Sequence, residues 1–231
     1  MSKLKSASHI VAIEDYEVEE NKDGIGWTIF IRMELLTNIS KISFDQKEVR
    51  KMALDILTAL EYCHSYKIMH RDIKPANIFV SEFGEYKLGD FGISREVEKT
   101  NATMSQKGTK SYMAPEMIKL EKTYDHTVDI YALGLTMYEL LNHGRMPFLP
   151  PYPEPFFPND REEAMFKRLD GEEFPEIEGI GKLNDIIRKA CHYNPNLRYQ
   201  SASEMKEDLI SCTKSIVEEE KKKEEKEKLK L

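Results

Sequence analysis

Two short motifs constrain this chain more than anything else in it. His70-Arg71-Asp72-Ile73-Lys74-Pro75-Ala76-Asn77 is followed, 18 residues after Asp72, by Asp90-Phe91-Gly92. The first brings a carboxylate, a lysine and a side-chain amide into one short stretch, and the second adds another carboxylate beside an aromatic ring. A carboxylate can accept the proton of an attacking hydroxyl. Asp and Asn oxygens are hard donors of the kind that hold magnesium beside phosphates. A fold for this sequence has to carry both motifs to one place, and in this order they predict a phosphoryl-transfer site.

The rest of the composition sets bounds. A chain of 231 residues, 40% hydrophobic, can bury one large core, and its length predicts one or two domains. Its net charge of −7 argues against a general binder of nucleic acid or of a membrane surface, either of which would carry a basic excess. Cys63, Cys191 and Cys212 are odd in number and lack C-x-x-C spacing, so neither a disulfide framework nor a zinc site is expected, and a reducing, cytoplasmic location is. Met1 to Ser6 lacks the apolar core of a signal peptide. No run approaches the roughly 18 apolar residues of a membrane span.

Periodicity divides the chain. Ile10 to Val18 and Trp27 to Met33 are rich in β-branched and aromatic residues around the turn-forming Asn21-Lys22-Asp23-Gly24, which predicts a hairpin. From Ser43 the apolar positions Val49, Met52, Ala53, Ile56, Leu57 and Leu60 recur at helical spacing, with Ser43 and Gln46 as a capping box. Tyr131 to Leu141 is apolar on nearly every face, which predicts a buried helix closed by Asn142-His143-Gly144. Pro147 to Pro158 reads as a rigid surface loop. Leu183 to Cys191 is another amphipathic helix, and Ser201 with Glu204 caps a last one running toward Val217. Glu218 to Lys230 holds six Glu and six Lys with no apolar face, a solvated helix or a disordered linker.

The two motifs together strongly resemble the catalytic half of a protein kinase, and specifically a bacterial-type, eukaryotic-like Ser/Thr protein kinase. Gly108-Thr109-Lys110-Ser111-Tyr112-Met113 and Ala114-Pro115-Glu116 are similar to the segment that ends the activation loop in that family. Asp129-Ile130-Tyr131-Ala132-Leu133-Gly134 resembles its central helix, and Arg198 the late arginine that pairs with the glutamate of A-P-E. The likeness covers nearly everything from Met1 to Lys214. It implies an α+β fold with a complete helical lobe over residues 37–214, a small-lobe remnant over 1–36 and a charged tail over 215–231. Met1-Ser2-Lys3-Leu4 would be the end of the regulatory helix. No G-x-G-x-x-G and no V-A-I-K-like strand precede Asp72, so the expected chain is an N-terminally truncated kinase. The rival expectation is a non-catalytic interaction module.

The resemblance also implies roles. Asp72 would be the base, Lys74 would neutralise the transferred phosphoryl group, and Thr109 would hydrogen-bond near both. Asn77 and Asp90 would hold Mg2+ with ATP. Met33 would guard the back of the adenine pocket, the Glu34 and Leu36 backbone would meet the adenine edge, and Phe79 would lie beneath the ring; a buried strand end is the plainer reading of that stretch. His70, Phe91 and Gly92 would be structural, as would Glu116, Asp129 and Arg198. Arg71 would meet a phosphate on the activation loop, with Thr100, Thr103 and Ser105 as the candidate phosphosites. The implied partner is a protein carrying a Ser or Thr. Trp27 to Met33, as an edge strand, is expected to pair with a second chain.

Overall fold

The computed structural model describes residues 7–21, 24–91, 109–119 and 124–212. Strands β1 (Ile13–Glu20) and β2 (Trp27–Met33) form an antiparallel hairpin. A second sheet holds β3 (Thr37–Asn38), β4 (Ile78–Val80) and β5 (Tyr86–Leu88) in the order β3-β4-β5. The helices are α1 (Gln46–Ser65), α2 (Pro115–Ile118), α3 (Thr127–Leu141), α4 (Pro158–Leu169), α5 (Leu183–Ala190) and α6 (202–212). Among the described residues no helix is long and apolar enough to cross a membrane.

Helix α1 buries Val49, Met52, Ala53, Ile56, Leu57 and Leu60, the stripe its sequence period marks out. Its cap differs from the sequence expectation. Gln46 is the first helical residue, and the Asp45 carboxylate accepts from the Glu48 N–H at 2.7 Å. Ser43 lies two residues before that cap, too far out to reach the amide, and a carboxylate suits the positive end of a long helix. Helix α3 is buried from Thr127 to Tyr138 without a break, so it serves as the post around which the lobe packs. At Gly134 it meets α5 so closely that a Cβ would stand 2.6 Å from Cys191 Sγ and 2.9 Å from Ala190 Cβ.

Pro147 to Phe157 runs without strand or helix, and Pro158 opens α4, a helix the proline count concealed. Ser201 Oγ accepts from the Glu204 N–H at 3.1 Å and so caps the last helix. The three cysteines are free and buried. Burial, aided by Asp129, pushes the Cys63 thiol up to about 12, and burial does the same to Cys191.

Among the described residues the hairpin is tied to this lobe at its root. Ile10 forms a parallel bridge to Leu88, the Leu88 N–H donates to His9, and the Val11 N–H donates to Leu88. The first strand therefore starts at Ile13, because Ile10 is held by β5 instead. Beyond Ala12 the hairpin is exposed on both faces.

Candidate active site

The loop from His70 to Asn77 is built around one buried carboxylate. Asp129, in the first turn of α3, accepts the His70 N–H at 2.9 Å and the Arg71 N–H at 2.7 Å, and His64 Nε2 lies 2.9 Å from the same side chain. Burial alone would raise the Asp129 carboxyl. The hydrogen bond from His64, the neighbouring His70 ring and the Arg71 amide outweigh it and hold the group below the usual carboxylate range. These contacts also stabilise Arg71 at a φ of 66°, a left-handed conformation that costs a non-glycine residue about 1–3 kcal/mol.

His70 is a neutral strut. Its Nε2–H donates to the Gly89 carbonyl at 2.8 Å, its Nδ1 accepts the Asp72 N–H at 3.3 Å, and its ring meets Phe91 edge-on at 4.7 Å. Burial lowers its pKa, against the opposing influence of Asp129, the Gly89 carbonyl, Asp72 and Asp90.

Asp72 follows at once. Lys74 Nζ and Asn77 Nδ2 reach its Oδ2 at 2.9 and 3.0 Å, and the same Asn77 nitrogen donates to the Asp72 carbonyl at 2.7 Å. Both side-chain bonds use Oδ2, which leaves Oδ1 as the oxygen able to take a proton. The β4–β5 register then brings in the second motif. Ile78 opposes Leu88, so Asn77 and Gly89 meet across the end of the ladder, with the Gly89 N–H donating to Asn77 at 2.9 Å. Gly89 has to be glycine, since a Cβ would lie 2.9 Å from both the Phe79 ring and Val11. Asp90 stands next, exposed and at a φ of 55°.

Beside this cluster lies a cleft of about 780 Å³. Lys74, Pro75 and Ala76 form one wall, and Tyr112 and Glu139 another. The Tyr112 hydroxyl donates to Glu139 at 2.6 Å, and burial raises the Glu139 carboxyl despite that bond. Tyr112 belongs to a segment that is pinned from behind: Arg198 holds Glu116 through two bonds of 2.6 and 2.8 Å, both side chains buried.

Thus Asp72, Lys74, Asn77, Asp90, His70 and Phe91 are brought together, with Asp129 beneath them and Glu116–Arg198 behind. The Arg71 guanidinium sits 5.6 Å from the Tyr124 ring, and its Nε is buried without a partner among the described residues. Phe79 lies partly buried against Gly89 and Val11. Glu34 is tied to the lobe by Lys87 at 2.7 Å and by the Ala12 N–H at 2.7 Å. Leu36 is half-buried, whereas Met33 is 51% exposed, so the buried strand end is not found. Its face of the hairpin is exposed. Thr109 starts the 3₁₀ turn Thr109–Tyr112, its side chain outside the description. Gly92, Thr100, Thr103 and Ser105 lie outside the described residues, as do Met1 to Leu4 and the tail. Sequence reasoning missed His64, Tyr112 and Glu139, whose partners are 65 and 27 residues distant and leave no local signature. Among the described residues no three His, Cys, Asp or Glu side chains cluster as a metal site.

Comparison with known proteins agrees with this geometry. Residues 1–210 match the family model described as protein kinase domain. A probable serine/threonine-protein kinase of Streptomyces coelicolor is 39% identical over 168 residues, 70% of this chain and 24% of that protein. A probable serine/threonine-protein kinase PknB of Bifidobacterium longum is 34% identical over 193 residues, 79% of this chain and 26% of its own. The serine/threonine-protein kinase PknB of Mycolicibacterium smegmatis is 32% identical over 216 residues, 88% of this chain and 33% of its own. The chain therefore spans about a quarter to a third of the length of these curated relatives.

Proposed function

The chain belongs to the protein kinase domain family, and from that premise we propose that it carries the machinery to transfer the γ-phosphoryl group of ATP to a Ser or Thr of a protein. The observation that carries this reading is Asp72, clamped through Oδ2 by Lys74 and Asn77 on a loop that Asp129 holds rigid. The acceptor hydroxyl gives its proton to Asp72 Oδ1 as its oxygen bonds to the γ-phosphorus and the bond to the β-phosphate oxygen breaks. Lys74 sits where it can neutralise charge on the moving group. The acceptor polypeptide lies in the cleft beside Lys74 and Tyr112.

Asn77 and Asp90 suit magnesium. The Asn77 amide nitrogen is committed to Asp72, which turns its oxygen over to a ligand, and Asp90 is exposed one residue past the Gly89 bond. Two protein oxygens fit an ion that keeps waters and phosphate oxygens as its other ligands. Bound there with ATP, magnesium supplies charge neutralisation on the phosphates. For adenine, the Glu34 amide is already given to Ala12, so the connection offers the Glu34 carbonyl and the Leu36 amide, with Phe79 below. Arg71, with its unpartnered Nε, is suited to a phosphate on the segment holding Thr100, Thr103 and Ser105. In this reading residues 1–36 serve the small lobe, 37–214 the large lobe and 215–231 a charged extension.

These residues include no glycine-rich loop or V-A-I-K-like strand, so the 231-residue chain alone is expected to bind Mg-ATP weakly. Calorimetry showing low-micromolar affinity would refute that. Fused in frame behind a small lobe that has both features, the chain should phosphorylate a Ser/Thr protein, and Asp72→Asn should abolish transfer without lowering the melting temperature. Turnover retained by Asp72→Asn would remove the base from its role, and an inert fusion with a normal melt would favour the interaction module.

A further inference from the structure

Helix α4 buries two side chains, Ala164 and, one turn on, Arg168. A buried guanidinium is costly unless an acid neutralises it. Arg198 has Glu116 for that purpose, but Arg168, 5% exposed, forms no ion pair among the described residues. The acceptor it does reach is the Ser111 carbonyl, to which its Nη1 donates at 2.7 Å. Its charge is felt by Tyr112, Tyr131 and Cys191, in each case opposing the burial that raises the hydroxyl or thiol. The guanidinium thus stands where α4 meets the central helix α3 and the 3₁₀ turn Thr109–Tyr112.

We propose that Arg168 is a positioning residue for phosphoryl transfer: by holding the Ser111 carbonyl it fixes the wall that Tyr112 gives to the cleft, and so governs how tightly the acceptor polypeptide binds. The role rests on the kinase reading. Three observations carry it. Stability gives no reason for a charge at this position, since leucine or methionine would fill much of the same space without stranding a cation. The bond is charge-assisted, hence short and strong, and it falls on the residue directly before Tyr112, which lines the cleft and donates to Glu139. The third is a tie in the reverse direction: Lys119 Nζ donates to the Leu169 carbonyl at 2.9 Å, so adjacent residues of α4 grip the segment on either side of α2. The Glu116–Arg198 pair holds the same segment inside α2, and the turn before it is held by Arg168. A displacement of α4 therefore carries the cleft wall with it.

Hydrogen exchange of the 231-residue chain reads this tie without any catalysis. Arg168→Met should speed exchange of the amides of residues 110–113 by roughly tenfold or more, the loss of one bond to a charged donor, while α1 and α3 keep their protection. Arg168→Lys, which retains a cation and a donor, should restore part of that protection. In the in-frame fusion, Arg168→Met should raise KM for the protein acceptor about tenfold, with KM for ATP and kcat near wild type, and lysine should again rescue. A residue that only stabilises the fold would lower the active fraction, and with it kcat, and leave KM alone. Unchanged exchange at 110–113, protection lost equally from α1 and α3, or an acceptor KM that does not move in an active fusion would each overturn the role. An inert wild-type fusion would instead overturn the kinase reading on which it rests.

Discussion

Replacing Arg198 by methionine tests how the wall of the cleft is held. The Arg198 side chain is fully buried, and it satisfies four acceptors: both Glu116 oxygens at 2.6 and 2.8 Å, the His192 carbonyl at 2.7 Å and the Tyr193 carbonyl at 3.2 Å. Its guanidinium carbon also lies 4.8 Å from the Tyr131 ring centroid. Methionine fills much of the volume but donates nothing, so Glu116 is left as a buried carboxylate without its cation. Breaking such a pair from one side costs about 3–5 kcal/mol. For a domain of this size each kcal/mol moves the melting temperature about 2–4 °C, so the expected drop is roughly 6–20 °C. Scanning calorimetry measures it without ATP. The partner experiment is Arg198→Met with Glu116→Leu, since replacing both members of a buried pair by apolar groups is often neutral. The double variant should recover most of the loss. A single variant that melts within about 2 °C of wild type, or a double variant no better than the single, would refute the pairing as the anchor of this segment.

Acidification should destabilise the fold in two windows. Folded His70 has a depressed pKa, so between 6.5 and that lower value the unfolded chain binds the extra proton and stability falls as pH drops; the depressed Asp129 adds a second loss below about pH 4. The melting temperature should therefore decline from pH 7 to pH 5, with a shallower slope in His70→Phe, and equal slopes would mean that His70 is not a buried neutral ring. Hydrogen exchange on a dilute, monomeric sample should find residues 13–33 exchanging far faster than α1 or α3, because a two-stranded hairpin exposed on both faces is only marginally stable. Protection in the hairpin equal to that of α3 would contradict its isolation.

What the sequence disclosed follows the range of the interactions. The α1 stripe and the all-round burial of α3 are local periodicities, and the Asp72–Lys74–Asn77 cluster lies within a single loop, so all three were legible. The Glu116–Arg198 pair spans 82 residues and could be expected only through family resemblance. Strands β3, β4 and β5 are two or three residues each, too short for alternation to register, and they exist because they pair with one another. The Ser43 cap failed against a better acceptor two positions on. The exposed strand was foreseen as an edge, but only the register, with Tyr16 opposite Ile31 and Val18 opposite Ile29, shows that its apolar residues share a face with those of β1.

Helix α3 joins these features, because Asp129 at its start fixes the catalytic loop and Gly134 in its middle sets its distance from α5. Gly134→Ala separates the two roles. In a helix interior alanine is favoured over glycine by about 1 kcal/mol, so propensity alone predicts a gain. Here the new methyl would stand 2.6 Å from Cys191 Sγ and 2.9 Å from Ala190 Cβ, inside contact distance of two buried groups. Overpacking of that kind costs about 1–3 kcal/mol, so the net change should be a loss. Which helix yields decides the functional consequence. Helix α5 has its other buried residues on the same apolar face, whereas α3 is enclosed on all sides, so α5 should move and Asp129 should stay. The variant should then melt lower while the His70 imidazole keeps its depressed pKa in an NMR titration. A raised melt would show that the helices relax without strain, and a His70 pKa returned toward its ordinary value would show that α3 itself had shifted beneath the loop.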